Sequence, residues 1–149
     1  MSPLREQLLK LVDDYIAAFN TNTPEGTIAV RSPDCKHHVL PIAAGHPVRN
    51  NEEYKAFIGP SFQFMKHFVL KLADGIAPII DEVQRKATLY LTSTAETPVG
   101  PYSNEYVFTL RTNDAGTEIV EVVEFIDTAY TGDFMKKIMV YIAEQGGQQ

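Results

Sequence analysis

From Phe68 onward the apolar residues of this chain recur at every second position, and that change of period decides what it can fold into. Phe68, Leu70 and Leu72 alternate with Lys71. Ala87, Leu89, Leu91 and Ser93 alternate with Thr88, Tyr90, Thr92 and Thr94, and two further runs follow at 102–110 and 119–127. A period of two marks strands that bury one face. Upstream the spacing is helical. Ser2 can cap a helix with Pro3 in its first turn, and Leu4, Leu8, Leu11, Val12, Tyr15 and Phe19 then share one face. Thr23-Pro24 repeats the start signal for a short second helix ending near Arg31, and Ser32-Pro33-Asp34 turns into a strand over 35–40.

Residues 42–48 have no period and contain Gly45 and Pro47, which reads as a mobile loop. Asn50 or Asn51 caps a third helix with Tyr54, Phe57 and Ile58 inside, and Gly59-Pro60 ends it. Phe62, Phe64, Met65 and Phe68 then form the densest aromatic cluster in the chain. A last helix carries Phe134, Ile138, Tyr141 and Ile142 on one side, with fraying expected over 146–149. Helices, a meander of long antiparallel strands and a closing helix predict an α+β fold: a cone-shaped curved antiparallel sheet wrapped around N-terminal helices. At 149 residues, 1–149 reads as one domain.

Charge and composition narrow the partners. A net charge of −6 leaves no obvious basic face for nucleic acid or an anionic membrane, which points to a small-molecule substrate or another protein as partner. The single cysteine, Cys35, excludes an internal disulfide and reads as inert packing. No apolar run approaches the roughly 20 residues of a membrane span, the start Met-Ser-Pro lacks the basic and apolar regions of a signal peptide, and a cytoplasmic location is expected.

The strands carry carboxylates where a half-buried sheet would ordinarily take Val or Ile. With a loop at 112–116, Arg111 is expected to face Thr117, so that Glu105 lies opposite Val123 and shares a face with Glu121, Phe125 and Asp127. Two carboxylates on one concave face would repel, raising one pKa, which supplies a general acid and a general base near neutral pH. For any single one, a solvated or ion-paired role is about as frequent. His37 and His38 point to opposite faces of their strand, and His37, on the side of Cys35 and Val39, is the inner candidate. His46 and His67 have no ligand spacing, so no metal is expected. Phosphate loops and nucleophile elbows are absent, which argues against nucleotide, flavin and serine-hydrolase chemistry.

The ending Glu124-Phe-Ile-Asp127 before a last helix resembles the SnoaL-like proteins of the nuclear-transport-factor-like superfamily. Arg31-Ser-Pro-Asp-Cys35-Lys-His37 with Pro41, Asn51-Glu-Glu-Tyr54, Ser93-Thr-Ala-Glu96 and Gly100-Pro-Tyr102-Ser-Asn-Glu105-Tyr106 together resemble the small fungal isomerases of meroterpenoid pathways of terretonin, austinol, paraherquonin and novofumigatonin type. The resemblance implies a homodimer that works without a cofactor and rearranges a polycyclic polyketide-terpenoid by acid-base catalysis. Such a rearrangement is a retro-Claisen opening with relactonisation, or an endoperoxide isomerisation. It places Glu105, Asp127 and His37 as catalytic candidates. Tyr102, Phe125, Phe57, Phe62, Phe64, Met65 and Glu121 are expected to bind substrate. Two rivals remain: a dehydratase using Tyr90 and Tyr106 on a ketone with His37 as base, and a non-catalytic binding module, which Glu105→Gln should separate from an enzyme.

Overall fold

The computed structural model describes residues 1–147, so the fraying expected at 148 and 149 lies outside the described residues. Helix α1 (Pro3–Phe19) leads into β1 (Arg31–Leu40), followed by α2 (Asn51–Ile58) and the short α3 (Ser61–Phe64). Strands β2 (Lys66–Leu72), β3 (Ile79–Asp81), β4 (Lys86–Thr97), β5 (Gly100–Thr112) and β6 (Ile119–Ile126) come next, and α4 (Thr128–Gly146) closes the chain. The strands lie in the order β1-β6-β5-β4-β2, with β3 paired to β4. The α+β cone of the sequence reading is what forms.

Helix α1 forms as its caps and spacing dictate. The Ser2 hydroxyl accepts from the Arg5 amide, and Leu8, Leu11, Val12, Tyr15 and Phe19 go into the core. They meet the inward residues of the sheet, among them Leu89, Leu91, Phe108, Leu110 and Val122. Immediately after α1, the side chains of Asn20 and Asn22 bond to β2 as a strand would. Asn20 Oδ1 accepts from Leu70 N and its amide donates to Leu70 O, while Asn22 does the same at Phe68.

Three local expectations change. The second helix shrinks to one 3-10 turn at Gly26–Ile28, because the Thr23 hydroxyl accepts from Gly26 N and the Thr27 hydroxyl donates to Pro24 O, closing the chain into turns. Strand β1 begins at Arg31, with the Pro33 turn absorbed as a bulge: Arg31 faces Ile119, yet Lys36 already faces Glu121. Finally, the sheet is mixed. β1 pairs with β6 in parallel, a geometry allowed because nearly the whole meander separates them in sequence.

Candidate active site

The cone encloses a cavity of about 360 Å³ between the sheet and helices α2, α3 and α4. Its walls are largely apolar: Phe57, Phe62, Phe64 and Met65 line it from the aromatic segment, and Phe134, Ile138 and Met139 from α4. Two sets of polar groups stand side by side on its sheet wall, one around Glu124, which pairs with Phe108, and one around Tyr102, Asn104 and Tyr106, with His46 and Ser61 among the other polar lining residues.

The first set begins at the β1 bulge. His37 is fully buried and sits opposite Val122 of β6, and its backbone exchanges two hydrogen bonds with Arg49 on the other side. Its ring stacks on Tyr54 of α2 at 4.1 Å, and Asn51 ties α2 to the bulge by donating to Ser32 O. The bulge folds the chain so that Arg31 Nη2 lies 2.9 Å from His37 Nδ1, and the guanidinium also covers the Tyr54 ring at 4.4 Å. His37 Nε2 lies 2.8 Å from Glu124 Oε1.

These contacts settle the tautomer. A guanidinium only donates, so Nδ1 must accept, and the ring's one remaining hydrogen sits on Nε2 and points at Glu124. Burial pushes the His37 pKa below its ordinary value, with the Glu124 carboxylate opposing the shift only in part. A neutral imidazole donating to a carboxylate therefore holds Glu124 in one orientation at the wall of an apolar chamber.

The second set is a chain of hydroxyls. Tyr102 and Tyr106 hydroxyl oxygens are 3.0 Å apart, and Ser93 Oγ lies 2.7 Å from Tyr106. Asn104 Nδ2 donates to Tyr102 at 2.9 Å and to Thr131 of α4 at 3.1 Å. Burial raises the pKa of both tyrosines, so both remain protonated across the neutral range.

The sequence-predicted residues divide between the two faces of the sheet. His37 lies behind the cavity wall in contact with Glu124, while Tyr102, Phe57, Phe62, Phe64 and Met65 line the chamber. Glu105, Asp127, Phe125 and Glu121 do not. The observed register sets Arg111 against Glu121, not Thr117, because the loop runs on to Glu118, held by Asn113 Oδ1 accepting from Thr117 N and Glu118 N. The four side chains still share a face, but it is the outer one. Side chains alternate along a strand, and Tyr102, Asn104, Tyr106 and Phe108 take the inner positions of β5. Glu105, Phe125 and Asp127 border a shallow external groove instead. Asp127 caps α4 by accepting from Tyr130 N, and Glu121 contacts His38 and Arg111. Tyr90, the partner suggested for Tyr106 in a dehydratase, borders the same outer groove.

Glu124, Arg31 and Asn104 were not among the expected site residues. The inward histidine offered a signal for Glu124, since a buried His needs a polar partner on a neighbouring strand. Which strand lay beside it depended on the parallel β1-β6 pairing. Among the described residues, no three His, Cys, Asp or Glu side chains cluster to hold a metal ion, and no helix is long and apolar enough to cross a membrane.

No family model matches the chain. Its architecture is that of the NTF2-like class: an NTF2-like protein from Burkholderia pseudomallei superposes with a TM-score of 0.67 at 17% identity, covering 88% of this chain and 95% of that one. Nearer relatives refine this. The chain is 32% identical over 144 residues to austinoid biosynthesis clusters protein H of Penicillium brasilianum, covering 96% of this chain and 98% of the relative. The BvnE pinacolase from Penicillium brevicompactum superposes with a TM-score of 0.90 at 33% identity, covering 94% of this chain and 96% of that one. The chain belongs to the family of fungal meroterpenoid proteins that includes austinoid protein H.

Proposed function

We propose that the chain is an acid-base isomerase or cyclase of secondary metabolism that rearranges a polycyclic polyketide-terpenoid inside the cone, with Glu124 as the base. One observation carries the reading: the single ring N–H of a neutral, buried His37 is aimed at the Glu124 carboxylate on the wall of an apolar cavity. Arg31 holds the tautomer from behind. A carboxylate in an apolar-walled cavity, fixed by one directed hydrogen bond, is a competent acceptor for a proton from a hydroxyl or from a carbon beside a carbonyl.

For a ring reconstruction, the balance is internal. Glu124 takes the proton of a substrate hydroxyl as its oxygen attacks a carbonyl, the carbon–carbon bond of a β-dicarbonyl ring breaks, and the released enolate regains the proton. No atom is lost and no metal or organic cofactor is required. An endoperoxide isomerisation would use the same base. Positioning is supplied by the aromatic walls, and a second copy of the chain is expected on the outer face, where Phe125 and Val69 stand half exposed.

Incubation with austinoid-type polycycles and mass spectrometry tests this reading. An isomerase gives a product of unchanged mass, whereas a dehydratase product is lighter by one water, and Glu124→Gln should abolish either. Substrate retained by the protein without conversion would support a binding module instead.

A further inference from the structure

We infer that the stretch of cavity wall beside Glu124 is an oxygen-binding subsite, in which the Tyr102 and Thr131 hydroxyls, both held by Asn104, donate together to one carbonyl oxygen of the substrate as it becomes an enolate or alkoxide. The inference deepens the reading of Glu124 as base and rests on it for the reaction, though not for the binding.

It begins with the orientation of Asn104. Its Oδ1 accepts from the Glu105 amide at 2.9 Å, which leaves Nδ2 with two hydrogens to give, one to Tyr102 at 2.9 Å and one to Thr131 at 3.1 Å. Asn104 is buried, so its amide has nowhere else to turn. Both hydroxyl oxygens therefore act as acceptors toward Asn104, and their own protons are free to point elsewhere.

The direction of the remaining chain follows from its buried end. Ser93 is 1% exposed, and Tyr106 is its one side-chain hydrogen-bond partner among the described residues. A buried hydroxyl with one partner donates to it or wastes its proton, so Ser93 donates to Tyr106. We assign the Tyr106 proton to its 3.0 Å contact with Tyr102. Tyr102 then accepts from both Asn104 and Tyr106, its lone pairs are filled, and its proton has only the cavity to face. The Thr131 hydroxyl likewise donates to no group among the described residues, and it lines the same cavity.

Spacing suits a shared ligand. Two N–H bonds on one trigonal nitrogen diverge by about 120°, which puts the two hydroxyl oxygens about 5 Å apart, and two donors at that separation both reach a single oxygen at ordinary hydrogen-bond length. Donors fixed before the reaction and aimed at a developing negative charge stabilise it without reorganising. The class of ligand is thus a ketone, ester or lactone whose carbonyl oxygen gains charge when Glu124 removes a proton.

The test compares 2-naphthol, a flat arene with one oxygen, against naphthalene, each titrated into the intact protein and followed by ligand fluorescence. 2-Naphthol is expected to bind about tenfold or more tightly, and Tyr102→Phe and Thr131→Val should each cut its affinity about tenfold while leaving naphthalene within about twofold. Equal binding of the two arenes by the parent, or a 2-naphthol preference unchanged in either variant, overturns the paired subsite. Glu124→Gln separates this result from the base assignment: it should lose turnover yet keep the naphthol preference. Retained turnover in that variant sinks the base assignment while leaving the subsite standing.

Discussion

The two faces of strands β5 and β6 carry similar residues and do different things. Inside, Glu124 stands opposite Phe108, among aromatic rings, with a neutral histidine as its hydrogen-bond partner. Outside, Glu121 lies between His38 and Arg111, and Asp127 caps a helix from the surface. One carboxylate in an apolar cavity has chemistry to do, whereas several on an exposed face have charge to balance. The difference is set by a single step of strand parity, since Glu124 and Phe125 are neighbours in the chain.

The contrast breaks most easily at its carboxylates. Glu124→Gln should lower turnover by about 10²-fold or more, the scale of a positioned base, whereas Glu105→Gln should stay within a few fold of the parent. Comparable losses at the two positions would mean that the outer groove takes part in the reaction. His37→Gln comes next, with a loss of about 10-fold to 100-fold expected from a base left loosely held. It also carries a pH signature. The folded-state pKa of His37 lies below its unfolded value of about 6.5, so the unfolded chain binds the extra proton first and stability is lost as pH falls below that value. Urea melts at a series of pH values should show that part of the acid slope vanish in His37→Gln, and an unaltered slope would show that another group titrates.

Smaller effects belong to the outer face. Phe125, half exposed there, should anchor the second copy, so Phe125→Asp is expected to turn a dimer into a monomer in sedimentation while turnover per cavity changes little. A parent protein that sediments as a monomer at micromolar concentration would defeat the dimer outright. The least of the effects is Asp127→Ala, which should cost about 1 kcal/mol of stability through the lost α4 cap, with no specific effect on the chemical step.

Much of this division was legible in the sequence and part of it was not. The first helix, the strand meander, the closing helix and the inward side of His37 follow from period and caps, which are local. The grouping of Glu105, Glu121, Phe125 and Asp127 on one face also survived, because the observed register differs from the expected one by an even number of residues. Which face was concave was not local information. Val107, Thr109, Val123 and Phe125 look as suited to a core as Tyr106, Phe108 and Glu124 do, and only the packing of α1 and α4 against one side decides between them. Arg31 was hidden for a similar reason: a bulge, which no period reports, brings it back to His37.

The side chains of Asn20 and Asn22 occupy backbone groups of β2 that a neighbouring strand would otherwise use, and at the far end of the same run of strands the Arg49 backbone does likewise for His37. An incoming segment of another molecule finds the peptide groups of Phe68 and Leu70 already taken at one margin and those of His37 taken at the other. Edge-to-edge addition, the route to fibrils and runaway aggregates, is thereby hindered at those positions. Any contact with a second molecule is steered away from these edge positions and toward the outer flank of the sheet.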